Sequence, residues 1–198
     1  SEVVTDPGRA EELLNIWRKQ DSVDVLALPD LDVVAVDWWE SKEEAHAAVL
    51  MASKLEGYND TLKALFSSDI KKNTHDVKTL LSRLLTEGIE GDGFVFDTAI
   101  AAYLLAPTDG SYDLEKLSVT YFNHETAKAK ETYLAKDAFS PLAQFQTALD
   151  LGEDPYEGTE DREGAAAEVS GPMGALLSHC ALIGALKEAM APRLTELG

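Results

Sequence analysis

The stretch KKNTHDVKTLL, residues 71–81, holds the side chains with the clearest potential for chemistry. Asp76 follows His75 and stands just before an apolar pattern with helical spacing. An aspartate in this position can be a ligand of a hard divalent cation, or it can start a helix by accepting backbone N–H bonds. His75 has no partner at metal-site spacing, so we interpret it as a packed or surface histidine. The role of Asp76 therefore depends on which other carboxylates the fold brings to it.

The charge of the chain limits what it can bind. The sequence has 36 acidic and 17 basic residues among 198, which gives a formal net charge of −19. Proteins that bind nucleic acid neutralise its phosphates with Lys and Arg, so most of this surface is expected to repel DNA. Divalent cations are possible ligands only where several carboxylates converge on one point.

Length and composition predict one cytoplasmic domain. A chain of 198 residues with 45% hydrophobic content can bury an ample core. Cys180 is the single cysteine, so no internal disulfide is possible, and its apolar surroundings predict a buried thiol. The first residues lack the pattern of a signal peptide, and no apolar run approaches the ~20 residues of a membrane span. We therefore expect no membrane partner.

Strand-like and helix-like patterns alternate along the chain, which predicts an α/β fold. Residues 22–28 and 31–39 are rich in β formers and are separated by a short turn, so they predict an antiparallel hairpin. Residues 42–55 fit a helix or a strand equally well. The other predicted strands are residues 69–73 and 94–96; the predicted helices start near Asp6 and Pro7 and then cover residues 59–66, 77–87, 99–106, 113–121 and 175–197.

Two further segments carry predictions about packing and order. Trp38 and Trp39 stand at the end of a predicted strand and are expected in the core. The pattern weakens over residues 122–174, and its polar part, rich in Gly, Pro and Glu, predicts a loop over residues 150–174.

The segment LLTEGIEGDGFVFDTAIAAYLLAPTDGSYDLEKL, residues 84–117, resembles the proofreading-exonuclease-like domain of bacterial DNA polymerase I, a family A polymerase. KKNTHDVKTLL lies at the matching distance upstream, and LKEAMAPRLTELG resembles the helix that leads into the polymerase domain. The resemblance implies an RNase H-like (DnaQ-like exonuclease) α/β fold, with an antiparallel meander followed by parallel strands in a mixed sheet flanked by helices. It also implies that residues 45–53 form the third strand. Residues 1–198 would then be a single exonuclease-like domain of a larger bacterial DNA-directed DNA polymerase.

The resemblance also implies which residues to look for. Active members of the family hold two divalent ions with three motifs, Asp-x-Glu, Asn-x-x-x-Asp and Tyr-x-x-x-Asp. The first motif is absent from the strand VDVLAL, and the nearest acidic pair, Asp30 and Asp32, lies in the predicted turn. In the second motif Asp76 matches the aspartate, but Lys72 replaces the asparagine.

The third motif is missing as well. Alignment of Pro192 with a proline common in the family puts Ala175 at the tyrosine and His179 at the aspartate. Asp76 is thus the one matching carboxylate, and a lone aspartate cannot hold two divalent ions against their hydration. We therefore expect a vestigial, inactive 3′–5′ exonuclease domain with no metal cofactor. It would support the polymerase domain of the same chain in DNA replication and repair and would meet DNA through the parent enzyme.

Two other functions stay open. An active exonuclease with relocated ligands would hold Mg²⁺ or Mn²⁺. Its ligands would be Asp30, Asp32, Asp76 and Asp97. An acidic interaction module would instead bind a basic protein, and salt would weaken that binding. Weak contacts with nucleic acid would come from the lysines nearest the cleft that holds the catalytic site in active members of the family. These are Lys63, Lys71, Lys72 and Lys78.

Overall fold

A mixed sheet of six strands lies at the centre of the part of the chain that the structure describes, residues 1–141 and 171–198. The structure is a computed structural model. The strands are β1 (Glu2–Val4), β2 (Val23–Ala27), β3 (Val33–Ser41), β4 (Glu44–Met51), β5 (Lys72–Thr74) and β6 (Phe94–Asp97). Their order across the sheet is β1-β4-β3-β2-β5-β6.

The middle of the sheet is the antiparallel meander β2-β3-β4. Strands β5 and β6 continue the sheet in parallel with β2, and β1 pairs in parallel with β4 at the other edge. The predicted hairpin, the third strand near residues 45–53 and the order of a meander followed by parallel strands are all confirmed. The sequence does not predict β1, because three residues are too few to show an alternating pattern.

The predicted helices are also present. They are α1 (Pro7–Arg18), α2 (Tyr58–Leu65), α3 (Val77–Thr86), α4 (Thr98–Leu105), α5 (Leu114–Phe122) and α6 (Gly171–Glu196). Several begin at an aspartate whose carboxylate accepts backbone N–H bonds of the first turn, which are Asp6, Asp76, Asp97 and Asp113. Among the described residues, none of the helices combines the length and the apolar character that crossing a bilayer requires.

Helix α6 begins earlier than the sequence predicts. Residues 171–174 are helical, although the composition predicts that they belong to a loop. Pro172 stands in the first turn, where a proline has no hydrogen-bonded N–H to lose, so it starts the helix rather than preventing it. The rest of the predicted loop, residues 150–170, lies outside the described residues.

Apolar side chains bury both faces of the sheet. Helices α1, α2 and α3 cover one face, with Leu13, Leu62 and Leu84 completely buried. Helix α6 crosses the other face, and α4 and α5 pack against it. Cys180 of α6 is buried against β2 and β3, as its apolar surroundings predict.

The tryptophan pair divides between core and surface. Trp38 is buried and packs edge-on against Trp17 of α1, with 5.6 Å between the ring centroids. Trp39 is 53% exposed, so its expected place in the core is wrong. Adjacent residues on a strand point to opposite faces, and near the end of β3 only the Trp38 face is covered.

The Asp97 carboxylate ties the starts of two helices together. It caps α4 by accepting the N–H of Ala99 at 2.8 Å, and it also accepts the N–H groups of Asp76 and Val77 at 2.9 and 2.8 Å. We expect Asp97→Ala to lower the free energy of unfolding by about 2–3 kcal/mol, because both helix starts lose their acceptor. Urea unfolding followed by circular dichroism measures this change.

Asp113→Ala is the matched control for this prediction. Asp113 caps α5 alone, by accepting the N–H of Lys116 at 2.8 Å. Its loss should cost about 1 kcal/mol, as for a single N-cap. Equal losses in the two variants would show that Asp97 does not join the two helices energetically.

Candidate functional site

A cavity of about 290 Å³ lies where β2 and β5 end at the same edge of the sheet. In open α/β sheets, ligands bind outside the carboxyl ends of the strands, so this edge is the candidate site. Residues of β2, of the β5–α3 junction, of the start of α5 and of the segment before residue 135 line the cavity. Besides Asp76, its carboxylates are Asp113, which accepts the N–H of Lys116 at 2.8 Å, and Glu115, which accepts the N–H of Ala129 at 2.7 Å.

Asp76 stands at this edge and caps α3. Its carboxylate accepts the N–H of Thr79 at 3.3 Å and the Thr79 hydroxyl at 2.7 Å. Its backbone has φ 68°, a left-handed conformation that aspartate tolerates better than most residues. Both carboxylate oxygens are therefore committed to the start of α3.

His75 is a packed histidine rather than a surface one. Its Nδ1 lies 2.8 Å from the hydroxyl of Thr98, and burial lowers its pKa. A neutral imidazole held by a hydroxyl group helps to join β5 to the start of α4.

The end of β2 brings no carboxylate to Asp76. Leu26, Ala27 and Leu28 are the residues of this strand and its end that line the cavity. The strand's aspartate, Asp24, lies nearer its other end and is buried beneath α6. The first family motif is thus replaced by apolar side chains at the position nearest to Asp76.

Asp30 and Asp32 form the turn between β2 and β3. Asp30 accepts the N–H of Asp32 at 2.9 Å, which is the local turn chemistry that aspartate favours. Both residues line a second cavity of about 470 Å³, next to the segment that follows Tyr133, and not the cavity of Asp76.

The two α6 residues at the third motif are buried. The ring of His179 has Tyr133 Oη 2.6 Å from its Nδ1 and Thr126 Oγ1 2.9 Å from its Nε2. Burial lowers the pKa of His179, so the ring is held neutral. Both nitrogens are engaged by hydroxyl groups, and Ala175 offers no ligand atom.

The four aspartates proposed as relocated ligands do not meet at one point. Asp76 and Asp97 are neighbours, but the oxygens of Asp97 accept backbone N–H bonds. Within residues 1–141 and 171–198, the one group of three or more side chains placed to hold a metal ion together is Glu40, Glu44 and His46, which includes none of these aspartates.

Lys72 is not available to nucleic acid, contrary to its place among the candidate contacts. It is fully buried, and its ammonium group donates to the carbonyl oxygens of Ser67 and Ile70 at 2.8 and 2.6 Å. Burial lowers the pKa of Lys72 to about 8. Strand alternation turns it into the core between Phe66 and Phe94, whereas Lys63, Lys71 and Lys78 are exposed.

A buried acid pair beneath α6 is the feature that sequence reasoning misses. Asp24 and Asp37 are direct partners on β2 and β3, with exposures of 5% and 7%. Asn73 donates to Asp24 at 3.0 Å and accepts from the Lys187 ammonium at 3.0 Å. A Cβ at Gly184 would collide with the Asp24 carboxylate, so glycine lets α6 lie directly on the pair. The available signal is an aspartate inside each of two valine-rich strands.

The surroundings of the acid pair favour its protonated form. Burial, followed by the charge and hydrogen bond of Asp24, raises the pKa of Asp37 to about 7. Burial also raises the pKa of Asp24, to about 6, although the hydrogen bond from Asn73 and the charge of Lys187 oppose this. Both carboxyl groups are therefore shifted towards the protonated form by burial and by each other's proximity.

Comparison with known families identifies the domain to which this fold belongs. The family described as DNA polymerase I, ribonuclease H-like domain, matches residues 32–138, which is more than half of the chain. The chain belongs to this family. The matched part of this DNA polymerase I domain includes β3 to β6, Asp76 and the segment that carries Tyr133. The predicted resemblance is confirmed.

Solved structures show the same fold. The POL domain of Pol1 from M. smegmatis, in complex with DNA primer-template and dNTP, has a TM-score of 0.64 and 16% identity, over 99% of this chain and 28% of that chain. Brucella melitensis NrnC has a TM-score of 0.57 and 16% identity, over 98% of this chain and 81% of that chain. Escherichia coli RNase D has a TM-score of 0.54 and 15% identity, over 94% of this chain and 45% of that chain. The RNase H-like, DnaQ-like fold is thus confirmed, and the DNA polymerase I domain spans about a quarter of the Pol1 chain. Comparison with curated protein sequences gave no match.

The acid pair predicts that stability falls as pH rises from about 4 to about 7. An unfolded aspartate titrates near 3.9. The native pKa values of Asp24 and Asp37 are raised above that value, so the native state binds more protons than the unfolded state in this window. Asp37→Asn keeps a neutral donor beside Asp24 at every pH. The free energy of unfolding of this variant should therefore fall between pH 4 and 7 by on the order of 2 kcal/mol less than that of the wild type. Urea unfolding at intervals from pH 4 to 8 gives the profile.

Asp21→Asn is the charge-matched control, because Asp21 is exposed just before β2. The net charge of −19 also weakens the fold as pH rises, and both variants remove one acidic group from that total. A pH profile that is the same in both variants would contradict the raised pKa values of the pair.

Proposed function

We propose that this chain is a vestigial, non-catalytic 3′–5′ exonuclease domain of a DNA polymerase I, and that it supports the polymerase domain of the same protein. The observation that carries the proposal is the apolar end of β2 on the side of the cavity that faces Asp76. Where two metal ions would need carboxylates from β2, the strand and its end offer Leu26, Ala27 and Leu28.

The remaining polar groups at this edge do not fit two divalent ions. Two-ion hydrolysis of a phosphodiester needs ligands on both sides of the ion pair. Asp76 is engaged by Thr79, and His179 is engaged by Tyr133 and Thr126. Mg²⁺ takes oxygen ligands and gives up its water reluctantly, so it needs carboxylates that converge on one point. Asp76, Asp113 and Glu115 all line the cavity, but within residues 1–141 and 171–198 they do not form a group placed to share an ion. We expect no resident Mg²⁺ or Mn²⁺ at this edge.

Charge supports a role away from direct DNA binding. The net charge of −19 opposes the approach of phosphates, and one of the candidate lysines, Lys72, is buried. The domain would therefore reach DNA through its parent enzyme rather than by its own surface.

An exposed apolar surface supports the structural role. Val95 of β6 and Ile100, Tyr103 and Leu104 of α4 are each about half exposed, at 49–53%. Contiguous apolar side chains on a protein surface mark contacts with another protein surface. The polymerase domain of the parent is the partner that the proposal assigns to it.

Excision by the intact parent polymerase tests the loss of chemistry. A primer with a mismatched 3′ end is incubated with the enzyme and Mg²⁺ or Mn²⁺ in the absence of nucleotides. We expect no shortening of the primer, because the cavity beside Asp76 lacks the ligands for two ions. The Asp76→Ala variant of the parent should extend a matched primer at the same rate as the wild type.

The opposite result is equally clear. Metal-dependent shortening that disappears in Asp76→Ala would establish an active exonuclease and refute the proposal. The supporting role has its own measurement: removal of the domain from the parent should lower the melting temperature of the polymerase part, whereas Asp76→Ala leaves it nearly unchanged.

A further inference from the structure

The turn end of the β3–β4 hairpin brings two aromatic and two acidic side chains close together. Trp38 and Glu40 alternate on β3, and Glu44 and His46 alternate on β4. Trp38 is the direct partner of His46, and the register shifts between Trp39 and Ser41, so that Glu40 lies at an irregularity of the ladder. A bulge changes the direction in which nearby side chains point. Here the imidazole of His46 and the carboxylates of Glu40 and Glu44 form one group.

Packing fixes the imidazole in place. The ring of His46 stacks on Trp38, with 5.4 Å between centroids and 17° between planes. Trp38 is itself anchored in the core by Trp17. The His46 Nε2 atom therefore points between the two carboxylates, 3.6 Å from Glu40 Oε2 and 3.9 Å from Glu44 Oε2.

The same Nε2 atom is buried from solvent and has no hydrogen-bond partner. A buried polar atom without a partner costs about 1–3 kcal/mol. Such atoms in native proteins call for an explanation, and a bound ion is one. The imidazole ring as a whole is 38% exposed, so it is the Nε2 edge, which faces the two glutamates, that is closed to water.

The distances suit a small divalent ion. The three ligand atoms lie within 4.8 Å of one another. A tetrahedral ion with bonds of about 2.0–2.2 Å needs ligand atoms about 3.3–3.6 Å apart. The ends of Glu40 and Glu44 are exposed, so small rotations close the difference. We propose that Glu40, Glu44 and His46 form a binding site for a divalent transition-metal ion of the zinc type, with water at the remaining position.

The ligand set selects this class of ion. Imidazole with carboxylates suits Zn²⁺ and its neighbours in the transition series, whereas Mg²⁺ and Ca²⁺ take oxygen ligands. An imidazole nitrogen must be unprotonated to bind a metal ion, so protons compete with the metal for such a ligand. The site lies on the meander, outside the cavity of Asp76, and does not depend on the proposed function.

Calorimetric titration of the whole chain with Zn²⁺ at pH 7.5 tests the site. We expect saturable binding of one ion per chain. His46→Ala and Glu44→Gln should each weaken it by more than about tenfold, since even groups that only orient ligands have effects of this size. His124→Ala and Glu43→Gln are the matched controls, because both residues are exposed and stand outside the cluster, and they should leave the binding constant unchanged.

Absence of saturable binding overturns the proposal, and so does binding that persists unchanged in both His46→Ala and Glu44→Gln. Circular dichroism of each variant establishes that a loss of binding is not a loss of fold. Asp76→Ala completes the set. Retained Zn²⁺ binding in this variant would show that the ion binds at the hairpin and not at the sheet edge beside Asp76. Binding lost in Asp76→Ala but kept in His46→Ala would place the ion at that edge and would count against this inference and the proposed function together.

Discussion

The packing of α6 across β2, β3 and β5 is the contact on which the rest of the structure depends. Leu176, Ile183 and Leu186 are fully buried there, and each such side chain contributes about 1.5–3 kcal/mol. The same contact buries the Asp24–Asp37 pair, which costs about 1.4 kcal/mol for each unit by which a pKa is raised. The apolar contribution is the larger, so the sheet can carry two carboxyl groups beneath a helix as long as Gly184 leaves room.

The same helix decides the character of the sheet edge beside Asp76. It brings Ala175 and His179 towards the segment of Tyr133, and that segment satisfies the imidazole with hydroxyl groups. Carboxylates held together at such an edge repel one another unless a cation joins them. Apolar residues at the end of β2 avoid that repulsion on this side of the edge.

The two other polar clusters differ because their burial differs. The Asp24–Asp37 pair is almost closed to water, which favours its protonated form, and it lies beside Asn73 and Lys187. The glutamates beside His46 reach solvent, so an ion can enter and keep part of its water there. Neither cluster belongs to the family's three motifs, and both sit on the antiparallel meander rather than at the carboxyl ends of the parallel strands.

The sequence by itself determined the local features. Helix starts at Asp6 and Asp97, the hairpin and the apolar stripes follow from hydrogen-bonding capacity and periodicity over a few neighbouring residues. It also determined that the strand before the turn lacks an acidic pair. Only the tertiary structure decided that Lys72 is buried, that Trp39 is exposed, and that Asp24 meets Asp37 under α6. These outcomes depend on strand register and on which faces distant helices cover. A shift of one residue would turn every side chain of a strand to the other face, so such contacts are set by the whole sheet and not by any one segment.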